Sequence, residues 1–254
     1  ISSAIQRVAC LFPLEKKMQG RLINEEPKAT PSLARPYARG PYNKCNDEEQ
    51  WIRIGEGCPN RCPYCRESVE CGVDPIYLPI PEIVRNKVKI LDMNPLFKPR
   101  AAEILKDLGS RRVAGKVVHY EYICGIDYRF LTPELAVLLK ENRFENIRLA
   151  WDWYFNHQMK VKDAVKMLVK AGYSSDDLTV FMICNWKVPY EQNMMKLDLC
   201  KIWRVKVADC YFDNQLAPNI KPIHWTDTQI KDFRARCRKH NQLVGFGIDP
   251  EYGK

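Results

Sequence analysis

Gly57-Cys58-Pro59-Asn60-Arg61-Cys62-Pro63-Tyr64-Cys65 is the stretch on which the reading of this chain turns. Its C-x3-C-x2-C spacing offers three thiolates, one fewer than a cubane iron–sulfur cluster takes when every iron is ligated by protein. A loop of this kind holds a cluster and leaves one iron open to a small molecule. The loop follows Trp51-Ile52-Arg53-Ile54, whose alternation predicts a strand over residues 51–54 that ends at the cysteines.

Working outward, strand-like segments recur at 88–91, 117–123, 147–151, 178–184 and 205–211, at intervals of about 30 residues, the length of a βα unit. Amphipathic helices lie between them. Ala101, Ile104, Leu105 and Leu108 follow the i, i+3, i+4, i+7 pattern and stop at Gly109; Val161, Ala164, Val165 and Leu168 do the same before Gly172. Thr132-Pro133 starts a helix whose Leu135, Leu138 and Leu139 face inward. A further helix is predicted over 190–204 on Met195, Leu199 and Ile202, and Thr226 with Gln229 forms a capping box for the last. Six such units make an α/β chain with parallel strands, and pattern alone does not separate a barrel from a doubly wound sheet. In either, functional residues gather at the C-terminal strand ends.

The cysteine run, with aromatic Tyr64 before the third cysteine, resembles the signature of the radical S-adenosylmethionine (SAM) enzymes. The resemblance implies a partial (β/α)6 barrel over residues 51–215, with a [4Fe-4S] cluster on Cys58, Cys62 and Cys65. SAM would chelate the open iron and, on one-electron reduction, release a 5′-deoxyadenosyl radical. Residues 1–50, with Pro27, Pro31, Pro36 and Pro41, are then an irregular N-terminal extension, and 216–254 a C-terminal helix and tail. Two stretches, Gly125-Ile126-Asp127-Tyr128-Arg129 through Thr132 and Arg148-Leu149-Ala150-Trp151-Asp152, resemble a subgroup with G-[LI]-D-x-R-x-L-T and R-x-A-x-D in succession, largely of unassigned substrate.

The same resemblance supplies SAM-binding candidates. Asp92 and Asn94, in a D-x-N version of a motif more often Gly-Gly-Glu, fall where the SAM amine is held; their bland alternative is an Asx turn. Asp127 and Asp152 can take ribose hydroxyls or the amine, and Arg129 the methionyl carboxylate. Internal Asp127–Arg129 or Asp152–Arg148 ion pairs compete with those roles. Adenine is expected against the backbone near Ile183 and Cys184, an apolar wall with free main-chain groups. Trp151, Trp153 and Tyr154 are rim packing or a substrate wall, and Asn185, Asp213 and Asn214 are weaker substrate contacts.

The chain has 254 residues, 46% hydrophobic, and a formal charge of +9, which points to an anionic partner or to solubility. The densest basic run, Lys231, Arg234, Arg236, Arg238 and Lys239, sits over a buried stripe of Ile230, Phe233 and Cys237. Eleven cysteines, an odd number, and a first segment interrupted by Gln6 and Arg7 argue against an exported disulfide protein. No stretch reaches the roughly 18 apolar residues of a membrane span, so a cytoplasmic protein is expected. The histidines His119, His157, His224 and His240 form no i, i+4 pair, and no second cysteine group suggests an auxiliary cluster. Partners implied are a flavodoxin- or ferredoxin-like one-electron reductant and an unidentified substrate, with nucleic acid or another anionic macromolecule within range. Two other classes stay open: a nucleic-acid-binding module with structural zinc, and an electron-transfer protein whose cluster is closed by Cys71.

Overall fold

The computed structural model describes residues 39–65, 67–152, 155–212 and 224–248. The expected roles of Trp153, Tyr154, Asp213 and Asn214, most of the N-terminal extension and the end of the tail lie outside these residues.

Six strands run parallel in chain order. β1 (Tyr42–Cys45) is an antiparallel edge to β2 (Gln50–Arg53), with Tyr42 opposite Arg53. β2 pairs with β3 (Lys87–Ile90) and β3 with β4 (His119–Tyr122), both in parallel. β5 (Arg148–Ala150), β6 (Thr179–Cys184) and β7 (Lys206–Tyr211) form a second parallel set. A parallel bridge between Ile126 and Leu149 joins the two, with the Ile126 N–H donating to Arg148 O at 2.7 Å. All six C-terminal ends therefore face the same way.

The crossovers are α1 (Ala101–Ser110), α2 (Pro133–Glu141), α3 (Gln158–Lys170) and α4 (Tyr190–Trp203), and α5 (Asp227–Gly245) follows β7. Strands covered by helices are buried on both faces and read as apolar runs; in β6 every residue after Thr179 is buried. One core joins Ile52, Ile90, Leu105, Leu139, Leu149, Leu168, Val180 and Phe233. Within it Phe144 stacks on Tyr120 and Tyr122, with ring centroids 5.2 and 4.9 Å apart. The Thr132 hydroxyl caps α2, and the Thr226–Gln229 capping box opens α5.

Four expectations need correction. Residues 42–45, assigned to an irregular extension, add a strand to the sheet edge. The strand expected over 117–123 is split, because a tight turn at Ala114 (φ 48) and Gly115 (φ 75) pairs Lys116–Val117 with Arg112–Val113 before β4 begins. Helix α1 continues through Gly109, where a Cβ would lie 1.7 Å from Asn142 Oδ1: this glycine admits a close neighbour and does not end the helix. In α4, Met195 and Ile202 are 43% and 68% exposed, and the buried face is Asn193, Lys196, Leu197 and Cys200. That face satisfies its polar groups on main-chain carbonyls: Asn193 Nδ2 donates to Ile183 O at 2.8 Å and Lys196 Nζ to Trp151 O at 3.0 Å.

The basic run on α5 is partly neutralised. Arg234 pairs with Asp209 at 2.9 Å and Arg236 with Asp232 at 2.7 Å. Among the described residues no helix is long and apolar enough to cross a membrane.

Candidate functional site

The cysteine loop starts where β2 ends and turns sharply at Gly57 (φ +85), whose Cα lies so near the Asp74 carbonyl that a Cβ would meet it at 2.0 Å. The Cys58 N–H donates to Gly72 O at 3.1 Å and the Cys65 N–H to Cys62 O at 2.9 Å, fixing the two ends of the motif.

Three successive strand ends then grip the loop. After β3, Asn94 Nδ2 donates to Cys58 Sγ at 3.5 Å. After β4, Asp127 Oδ2 accepts from Asn60 Nδ2 at 2.7 Å. After β5, Asp152 Oδ2 accepts from the Tyr64 hydroxyl at 2.9 Å. The end of β6 adds an apolar contact, the Trp186 ring lying edge-on to Tyr64 with centroids 5.8 Å apart. Between the loop and these ends is a cleft of about 80 Å³, lined by Asn60, Cys62, Tyr64, Asn94, Cys124, Asp127, Arg129 and Asp152 among others.

The donor set suits an electron-poor metal group. Burial, partly offset by the Asn94 amide, raises the Cys58 thiol, and burial raises Cys65 to about 12. Each sulfur also feels the negative charge the other cysteines would carry. Two thiols of the loop, Cys58 and Cys65, that resist ionisation are what a cationic centre would relieve, since coordination deprotonates them. Asn94 Oδ1 is buried and has no hydrogen-bond partner among the described residues, leaving an acceptor beside the loop. The thiols are not drawn together, however: among the described residues no group of three or more His, Cys, Asp or Glu side chains is arranged to hold a metal ion.

No protein-family model and no curated protein matches this chain. A solved radical SAM enzyme, coproporphyrinogen III oxidase (HemN) from Escherichia coli, is similar in chain path. The similarity covers 63% of this chain and 41% of that one, at 11% identity and a TM-score of 0.46. The chain thus spans well under half the length of that structure.

Of the residues singled out in the sequence, Cys62, Tyr64, Asn94, Asp127, Arg129 and Asp152 come together around the cleft. Asp92 does not line it. Its carboxylate accepts from the Ile54 N–H at 2.9 Å and faces the buried Lys98 ammonium at 3.3 Å, so it ties the end of β2 to that of β3. Burial raises its pKa, against the pull of Lys98. Asn94 holds a left-handed backbone, φ 43 and ψ 61, ahead of Pro95.

Arg129 is committed to Asp127 through Nε (2.9 Å) and Nη2 (2.6 Å), the internal pair that competes with a carboxylate-binding role. Arg148 pairs with Glu121 and not with Asp152. The carbonyl groups expected to be free for adenine are taken: Ile183 O by Asn193 and Cys184 O by the Phe212 N–H at 3.0 Å. Cys184 itself is a buried thiol raised to about 12.

Several residues of the site escaped sequence reasoning. Asn60 lay inside the quoted motif but carried no signal beyond its polar side chain. Lys196 had one: it shares the i, i+3, i+4, i+7 face of Asn193, Leu197 and Cys200, which the structure buries. Burial lowers Lys196 to about 8, while Asp152 pulls it back up. Burial raises Asp152 to about 6, with Tyr64 and Lys196 opposing. Cys124, grouped with the isolated core cysteines, lines the cleft beside Cys62.

Proposed function

We propose that this chain is a radical SAM enzyme built on a partial (β/α)6 barrel, with a [4Fe-4S] cluster on Cys58, Cys62 and Cys65. One observation supports this reading above the rest: a three-thiol loop is bonded to three consecutive parallel strand ends, by Asn94, Asp127 and Asp152. When bound, the cluster and SAM would supply reductive cleavage of a sulfur–carbon bond, giving a 5′-deoxyadenosyl radical that abstracts hydrogen from substrate.

The chain's own residues have narrower tasks. Asn94 holds Cys58 by its amide N–H and offers its unpartnered Oδ1 to a donor such as the SAM ammonium. Asp152, ionised above about pH 6, accepts a hydrogen bond from Tyr64 and keeps one carboxylate oxygen for a ligand hydroxyl or amine. Asp127, clasped by Arg129 and Asn60, orders the rim. Trp186, Ile183 and Val188 pack against Tyr64 and Phe212 and keep water from that side of the loop. The substrate is unidentified; the charge of +9 favours an anionic one, including a macromolecule.

The test is electron paramagnetic resonance of the anaerobically reconstituted, reduced protein with and without SAM, followed by assay of 5′-deoxyadenosine. A cubane signal that shifts with SAM, with product formed, is expected, and Cys58→Ala, Cys62→Ala and Cys65→Ala should each abolish both. A signal indifferent to SAM, or stoichiometric zinc without iron, overturns the proposal.

A further inference from the structure

The cysteine loop, Gly57 to Cys65, is shut at its base by one carboxylate. Glu67, just past Cys65, accepts the Gly57 N–H on Oε1 at 3.1 Å, joining the residue before Cys58 to the helical turn Glu67–Glu70 that follows the motif. Two main-chain bonds lie beside this one: the Cys58 N–H donates to Gly72 O at 3.1 Å and the Cys71 N–H to Glu67 O at 2.8 Å. Glu67 is 3% exposed, and a carboxylate taken out of water is costly unless it is paired and hydrogen-bonded. Asn94, Asp127 and Asp152 hold the loop from the strand ends, at Cys58, Asn60 and Tyr64. Glu67 instead ties the loop's entry to its exit.

The counter-charge arrives through β1. Because β1 runs antiparallel to β2 with Tyr42 opposite Arg53, its start lies beside the end of β2, where the loop begins. Arg39, which precedes β1, thereby reaches the loop: its Nη1 faces Glu67 Oε2 at 3.5 Å, and its Nε and Nη2 donate to Glu70 Oε2 at 3.0 and 2.7 Å. Glu70 takes the shorter contacts, so the guanidinium has a counter-charge without Glu67. An ion pair alone would not require a second carboxylate here, whereas the Gly57 N–H has Glu67 as its acceptor.

We propose that Glu67 is a positioning residue for the cysteine loop: its carboxylate, seated on the Gly57 N–H and steadied by Arg39, closes the loop behind Cys65 and fixes how far apart Cys58 and Cys65 stand. This rests on the radical SAM reading only for the group the loop would hold. The property that matters is the acceptor and not the charge, since glutamine keeps an oxygen for Gly57 while Arg39 keeps Glu70.

The experiment uses the whole chain as wild type, Glu67→Gln and Glu67→Ala. On the apo chain, hydrogen exchange at the Gly57 amide is followed by NMR, with the buried Trp151 amide, bonded to Phe181 O, as the control. Glu67→Ala should speed exchange at Gly57 by about tenfold or more, the effect of losing a buried hydrogen bond, and leave Trp151 unchanged, while Glu67→Gln should stay within about threefold at both. After anaerobic reconstitution with iron and sulfide, release of iron to a chelator should be about tenfold faster from Glu67→Ala than from wild type, and within about threefold for Glu67→Gln. Equal Gly57 exchange in wild type and Glu67→Ala, equal iron release from the two, or a Glu67→Gln chain as impaired as Glu67→Ala would each overturn the inference. So would equal acceleration at Gly57 and Trp151, which would make Glu67 a general stabiliser of the fold. A wild type that takes up no iron, with Gly57 protected by Glu67 as expected, would instead sink the radical SAM reading and leave loop closure standing.

Discussion

The Tyr64 hydroxyl donates to Asp152 Oδ2 at 2.9 Å, joining the cysteine loop to the end of β5 across 88 residues of sequence. The bond explains why an aromatic with a hydroxyl stands before the third cysteine: its ring packs on Trp186 while its O–H holds the carboxylate. Burial and the Asp152 charge both raise the Tyr64 pKa, so the phenol stays protonated and remains a donor. Tyr64→Phe keeps the ring and deletes the donor. The expected cost is about 1–3 kcal/mol in chemical denaturation, the penalty for a buried polar group losing its partner. An unchanged midpoint would mean that the bond does not order the loop.

Asp152 makes stability and ligand binding depend on pH in opposite senses. Its folded pKa of about 6 lies above the ordinary 3.8, so the folded chain binds the proton more tightly and stability falls as pH rises between these values. Asp152→Asn should remove that slope and be more stable than wild type at neutral pH by about 3 kcal/mol, with no gain near pH 3. SAM affinity should run the other way in wild type, weakening below about pH 6 as the acceptor is protonated. Denaturation midpoints and SAM dissociation constants across this range check both. A pH-independent SAM affinity would remove Asp152 from the ligand.

Asp92 and Lys98 are both buried, 3.3 Å apart, beneath the ends of β2 and β3. Lys98→Met strands a buried carboxylate and should destabilise the fold by about 3–5 kcal/mol, whereas the double variant Lys98→Met/Asp92→Asn should recover much of that loss. If Asp92 instead served the SAM amine, Asp92→Asn alone would weaken SAM binding more than it altered stability, and the double variant would show no recovery.

The strands were legible because parallel strands buried on both faces write themselves as apolar runs, and β6 is the plainest case. The cysteine loop was legible because its spacing is local. Partnerships were not. Asn60 with Asp127, Tyr64 with Asp152 and Lys98 with Asp92 are made by the crossovers, which bring distant strand ends together without any periodic trace. α4 misled for a related reason. Its inward face carries Asn193 and Lys196, whose polar ends are satisfied on the carbonyls of Ile183 and Trp151, so hydrophobicity pointed to the exposed Met195 and Ile202.

Two further cysteines bear on whether the proposed cluster would be open or closed. Cys71, the obvious fourth ligand by sequence distance, has no solvent exposure, and burial followed by the negative charge of Glu67 raises its thiol to about 11. Cys124 lines the cleft beside Cys62, but its Sγ sits 3.5 Å from Leu91 O as a donor, and burial with the charge of Asp92 raises it to about 12. Both therefore favour the neutral thiol, and each would leave a settled environment to reach a fourth iron. Cys71→Ala and Cys124→Ala are expected to retain wild-type iron content and a resonance that shifts on addition of SAM. Loss of the cluster in one of them, with a SAM-insensitive spectrum in wild type, would identify that cysteine as the fourth ligand and make the protein an electron carrier.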